Sequence, residues 1–230
     1  MYILLIETST ERGVIACLNQ LEVVFAQELP FGSAQSKFLM PELAAAMEDL
    51  DVSPTELTCI GVGIGPGSYT GIRMGVSVAQ ALSFSWNLPL IGVCSLDGFV
   101  PTENNIAFAA IIDAKIGGAY VRKGYRSDEG VRYLSEPILS PLEDIKNILT
   151  DEVSHLVSPS YQTLKAKLDA LYPNNPWQWE ERPPSVEALA FSVEAAYQRG
   201  LWKEPGQPID LLYLRETEAE REKKRQADKS

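Results

Sequence analysis

Short apolar runs separated by turn residues fill the start of the chain, then give way to a helical period. Residues 2–7, 13–19 and 22–29 read as three strands of a meander, with the stretch from Thr8 to Gly13 and the pair Asn19-Gln20 as turns. From residue 36 to 50, Leu39, Leu43, Ala46, Met47 and Leu50 recur on one helical stripe. Pro41 falls in the first turns of that helix, where a missing N–H is tolerated. An apolar strand at 59–64 then leads through a glycine-rich loop to a helix at 71–86 and a strand at 90–93. The order is β-β-β-α-β-loop-α-β.

A partial restart follows. Residues 106–113, 118–125 and 131–137 again suggest three strands, and Ser140-Pro141-Leu142-Glu143 has the form of a capping box opening a helix. A short strand at 153–157 and a helix at 161–171 come next. A proline-rich loop at 173–184 carries Trp177 and Trp179, and a helix at 185–199 is stopped by Gly200. Residues 209–214 read as a last strand and 216–230 as a charged tail. Two such lobes in tandem predict an α/β protein of the actin-like ATPase (ASKHA, duplicated RNase H-like) fold. Its N-terminal lobe spans 1–100, its smaller C-terminal lobe 101–215, and its tail 216–230.

Composition narrows the function classes. With 230 residues the chain can bury a sizeable core, and no apolar run is long enough for a membrane span. The opening segment lacks a basic flank and reads as a first strand, not a signal peptide. Three well-separated cysteines suit buried thiols in a reducing cytoplasm. A net charge of −11 argues against unaided binding of nucleic acid, so any contact with RNA is expected to be indirect. The single histidine, His155, excludes metal sites built on two imidazoles; neither metal nor cofactor is expected.

The richest chemistry lies in Gly61-Val62-Gly63-Ile64-Gly65-Pro66-Gly67-Ser68-Tyr69-Thr70-Gly71-Ile72-Arg73. Strand, glycine loop and helix N-terminus can form an anion cradle, with Gly65, Gly67, Ser68 and Thr70 around it and Glu7 nearby. The loop lacks the Gly-Lys-Ser/Thr ending of a P-loop and the glycine spacing of a dinucleotide fingerprint. A tight turn capped by Ser68 or Thr70 accounts for it equally well.

This block, with Gly92-Val93-Cys94-Ser95-Leu96, Ile3 to Ser9, Ser36 with Leu39-Met40-Pro41, Asp113-Ala114-Lys115 before Ala119-Tyr120-Val121, and Tyr213-Leu214-Arg215, resembles the TsaB (YeaZ) family. The resemblance covers nearly the whole chain. It implies a subunit of the bacterial machinery for threonylcarbamoyladenosine in tRNA, similar in fold to the catalytic subunit TsaD but without its active site. It further implies pairing with TsaD, recruitment of the ATPase TsaE, transfer of threonylcarbamoyl to adenosine 37 of tRNA, and a homodimer when TsaD is absent. Where TsaD carries two metal-binding histidines, this chain has Gln35 and Leu39. Glu7 stands where the family usually has aspartate, and is read as capping the Thr8–Thr10 turn in preference to holding a water-bridged cation.

Two helices are the expected partner surface: Gln35, Ser36, Leu39, Met40, Leu43 and Met47 on the first, Gly71, Arg73, Gly75 and Ala79 on the second. Gly71, Gly75, Ala79 and Ser83 make a small-residue stripe that can admit a partner helix or pack on its own sheet. Arg73, unfavourable against the helix dipole, is expected to bond to a partner or to the glycine loop. No catalytic residue is expected. The alternative is an independent nucleotide-binding hydrolase or peptidase-like homodimer, and Ser9, Ser36 and Ser68 have only His155 as a candidate base.

Overall fold

The computed structural model describes residues 1–49, 52–115, 118–150 and 152–214. Leu50 of the first helical stripe, part of the Asp113–Gly118 turn, Arg215 and the charged tail lie outside them.

Strands β1 (Tyr2–Glu7), β2 (Val14–Asn19) and β3 (Glu22–Glu28) form the meander, and β4 (Cys59–Gly63) and β5 (Leu90–Val93) complete a first sheet of order β3-β2-β1-β4-β5. The two added strands run parallel to β1. Helices α1 (Gln35–Asp49) and α2 (Tyr69–Trp86) seal one face, where Leu39 and Leu43 meet Ile72, Val76 and Ala79 over Leu4, Ile6 and Ile60.

The second sheet repeats the scheme. β6 (Ile106–Asp113) pairs antiparallel with β7 (Gly118–Ser127), and β7 takes both β8 (Gly130–Tyr133) and β9 (Ile138–Pro141) on its far side. On the other side of β6 lie β10 (His155–Ser158) and β11 (Gln178–Glu181), both parallel. A central strand with an antiparallel meander on one side and parallel strands on the other thus occurs twice, which is the duplicated RNase H-like arrangement. Helices α3 (Ile145–Leu149) and α4 (Gln162–Leu171) cover one face of this sheet, with Trp177 and Trp179 packed among their leucines. The last helix, α5 (Val186–Gln198), returns to the first sheet and covers its second face through Val186, Leu189, Ala190 and Val193.

The connection between sheets is pinned from both sides. Asp97 accepts the guanidinium of Arg122 from β7 and the Ser192 hydroxyl of α5 at 3.0 Å, while its carbonyl accepts the Tyr133 hydroxyl at 2.8 Å. Arg122 also lies 4.1 Å over the Tyr133 ring.

Four local expectations change. The helix expected from Ser140 begins two residues later, as a 3-10 turn at Leu142–Asp144 that leads into α3; Ser140 itself sits in β9 opposite Ala119, where ladder pairing outcompetes the cap, and a capping box forms at Ser53 with Glu56. The expected strand at 131–137 ends at Tyr133 as β8, and a separate strand, β9, follows at Ile138–Pro141 on the same neighbour β7. The loop at 173–184 contains β11, because β10 offers it a ladder. Residues 209–214 form no strand; the sheet edge at Leu90 is already taken by Lys203, and the segment is held by a Leu212 N–H to Ile64 carbonyl bond of 2.9 Å.

Candidate functional site

The glycine loop folds against the end of β1, and its Gly65 and Ser68 amides are bonded inside the protein. Ser68 donates its N–H to the Ser9 carbonyl at 2.6 Å, and Gly65 donates to the Ser95 hydroxyl oxygen at 3.1 Å. Ser68 caps α2 by accepting the Gly71 N–H at 3.3 Å, so the helix opens at Tyr69, two residues before its expected start. Thr70 lies exposed in its first turn. These are the bonds of a capped turn.

Glu7 is wholly buried beneath this loop. Its Oε1 accepts the Ser9 N–H at 2.5 Å, which caps the turn as expected, while Oε2 has no hydrogen-bond partner. Burial pushes its pKa up, opposed by the hydrogen bonds from Ser9. A Cβ at residue 63 would lie 1.8 Å from Oε2; only glycine lets the carboxyl sit there. The second sheet mirrors this turn: Asp113, ending β6, accepts the Lys115 N–H at 2.7 Å and pairs with Lys167 at 3.0 Å.

The two helices divide their residues between an inner and an outer face. Gln35, Leu39, Leu43, Gly75 and Ala79 are buried, and Met47 packs partly against the same core. The small-residue stripe therefore packs on its own sheet. A Cβ at 71 would stand 2.1 Å from the Thr8 carbonyl oxygen, and one at 75 would stand 2.4 Å from the Thr8 hydroxyl, so the glycines admit Thr8 and not a partner helix. Gln35 is likewise a structural residue, donating its amide to the Thr10 carbonyl at 3.0 Å. Of the expected partner residues, Ser36, Met40 and Arg73 are exposed, and Phe38, Pro41, Ala44 and Ala45 join them on the outer side of α1.

Among the described residues, Arg73 makes no hydrogen bond to the glycine loop. It donates Nε to the Tyr213 hydroxyl at 3.1 Å, its guanidinium lies 4.1 Å over Tyr69, and the two tyrosines stack at 5.7 Å. Sequence reasoning missed this bracket because Tyr213 stands 140 residues away. His155 lies 3.6 Å from Glu180 in the second sheet, in no arrangement with Ser9, Ser36 or Ser68.

Residues 32–162 match the family model of TsaD, tRNA N6-adenosine threonylcarbamoyltransferase. Relatives named tRNA threonylcarbamoyladenosine biosynthesis protein TsaB are 34% identical over 122 residues in Bacillus subtilis, 31% over 147 in Escherichia coli and 29% over 162 in Haemophilus influenzae. The chain belongs to the TsaD family, on its TsaB/YeaZ branch. The stretches aligned with those three relatives cover 52%, 61% and 65% of this chain and 53%, 63% and 68% of the relatives' own length. YeaZ from Pseudomonas aeruginosa superposes with a TM-score of 0.76 at 21% identity, over 91% of this chain and 99% of that one, which shows a shared YeaZ fold. Against the catalytic TsaD pattern, this TsaB/YeaZ-type chain uses Gln35 and Leu39 for packing where the resemblance places metal-binding histidines in TsaD.

Proposed function

We propose that this chain serves threonylcarbamoyladenosine biosynthesis as a non-catalytic subunit that docks a TsaD-type catalytic subunit on the outer face of α1 and α2, with a TsaE-type ATPase joining the pair. The observation that carries this is the composition of that face. Phe38, Met40, Pro41, Ala44 and Ala45 of α1 and Phe84 of α2 are exposed, and Phe84 is 71% accessible. Large apolar groups shown to solvent on the two helices that cover one face of the sheet suit a helix-to-helix interface. The names of the TsaB relatives supply the pathway.

The glycine loop supports a subunit without chemistry of its own. Its Gly65 and Ser68 amides are committed to Ser95 and Ser9, and the buried Glu7 faces Gly63 instead of solvent. Light scattering after size exclusion tests the pairing. A 1:1 complex with the cognate TsaD-type subunit, lost in Met40→Glu, is the expected result; complex formation indifferent to Met40→Glu and Phe84→Glu overturns the docking face.

A further inference from the structure

A second surface lies away from α1 and α2. Strand β3 is a sheet edge whose outer side pairs with no strand among the described residues. All of its residues except Phe25 are exposed, and Val24 bulges out of the β2 ladder without a partner. An edge strand of this kind offers a row of backbone donors and acceptors to another chain. It carries neither lysine nor proline, two of the usual guards.

At the β2–β3 turn this edge runs into a groove. Leu21, with φ of 65°, forms one wall; the β7–β8 hairpin forms another, and α5 supplies Ala188 and Phe191. The groove holds about 610 Å³, and Phe191 stands 57% exposed in it. Asp128, Glu129 and Glu187 line it against Arg126 and Arg132, one carboxylate more than guanidinium; Arg126 is bonded to Asn104 and the Pro101 carbonyl, Asp128 to the Asn104 and Asn105 amides, and Glu187 to the Ser185 hydroxyl. Glu22 adds a further exposed carboxylate at the junction, on a chain of net charge −11.

We propose that the outer edge of β3 and the groove at its Leu21 end dock an extended, basic segment of a partner protein, which adds as a strand and seats an apolar side chain beside Phe191. Main-chain pairing provides affinity and the groove provides selectivity. The excess of carboxylates selects cationic residues at positions flanking the anchor. A second copy of this chain fits less well, because it brings the same acidic edge.

The test uses the full chain and a fluorescein-labelled nine-residue peptide of alternating lysine and valine ending in leucine, with a glutamate-for-lysine peptide as control. Saturable anisotropy with the basic peptide alone and slowed amide exchange confined to β3 are expected. Phe191→Glu and Val24→Pro should each weaken binding by about tenfold or more. Phe191→Glu adds negative charge, so merely electrostatic association strengthens in it while anchored docking weakens. Thermal melts confirm that both variants fold. No saturation below about 1 mM overturns the proposal. So does binding retained in Phe191→Glu, or a homodimer abolished by Val24→Pro, which assigns the edge to self-pairing.

Discussion

Leu39 and Met40 are neighbours on α1 with opposite tasks, and substituting each alone separates the core of the protein from its proposed docking face. Leu39 is 1% exposed and packs in the cluster of Leu43, Ile72 and Val76, whereas Met40 is 48% exposed. Leu39→Ala removes buried methyl groups and leaves a cavity beneath α1, a loss of about 2–5 kcal/mol. In a chain of this length that lowers the melting temperature by roughly 5–15 °C. Met40→Glu stays within about 0.5 kcal/mol of wild type, since no buried contact is removed. In a pairing assay the order inverts. Met40→Glu places a charge in an apolar interface and should weaken association with the TsaD-type subunit by about thirtyfold, the effect of a hot spot worth about 2 kcal/mol. Calorimetry gives the melting temperatures, and titration of labelled TsaD-type subunit gives the affinities. A Leu39→Ala protein that melts with wild type, or a Met40→Glu protein that pairs with wild-type affinity, refutes the division of α1 into two faces.

Three further substitutions address the interior. Gly75→Val drives a side chain into the Thr8 hydroxyl, 2.4 Å from the position of its Cβ, and should destabilise by about 1–3 kcal/mol or more in urea unfolding; an unchanged midpoint contradicts the Thr8 packing. Glu7 has its carboxyl raised above the ordinary 4.5 by burial, so the folded state keeps a proton that the unfolded state has released. Its contribution to stability is full below about pH 4.5 and is lost as pH rises through the folded-state value. Glu7→Gln should flatten that decline in denaturant midpoints measured from about pH 5 to about pH 8; the same pH slope in both proteins contradicts the buried acid. Asp97→Asn strands the Arg122 guanidinium between the sheets, at a loss of about 3–5 kcal/mol, and a change under about 1 kcal/mol by chemical unfolding speaks against the pin.

The meander and the crossover strands were legible because their signals are local. Residues 2–7 and 90–93 are short apolar runs bounded by turn residues, and they appear as β1 and β5 with those bounds. Elements fixed by a distant partner were not. The segment at 178–181 carries Trp179 and two glutamates among prolines and becomes a strand only because β10 lies beside it. Residues 209–214 have a strand's composition but meet no open edge. Ser140 carries a helix-start pattern, yet its pairing with Ala119 decides its state.

The candidate site divides in the same way. The Glu7 turn closes over two residues and could be read directly. The small-residue stripe was ambiguous, because the atoms that fill it belong to Thr8, whose hydroxyl donates to the Gly71 carbonyl 63 positions away. Leu39 and Gly75, which a helical wheel offers to a partner, are for that reason poor interface probes, and charged residues there attack the fold itself. Phe84, the most exposed of the large apolar residues on α2, is the residue after Ser83, the last of the small residues that the sequence had singled out.

The measurement that bears most directly on the account is light scattering after size exclusion of this chain with its cognate TsaD-type subunit, run beside the Met40→Glu variant. The account predicts a 1:1 complex with the wild-type chain, and separate peaks with the variant, whose own melting temperature is unchanged. Failure of the wild-type chain to associate at micromolar concentration, or a complex formed equally well by the variant, contradicts it.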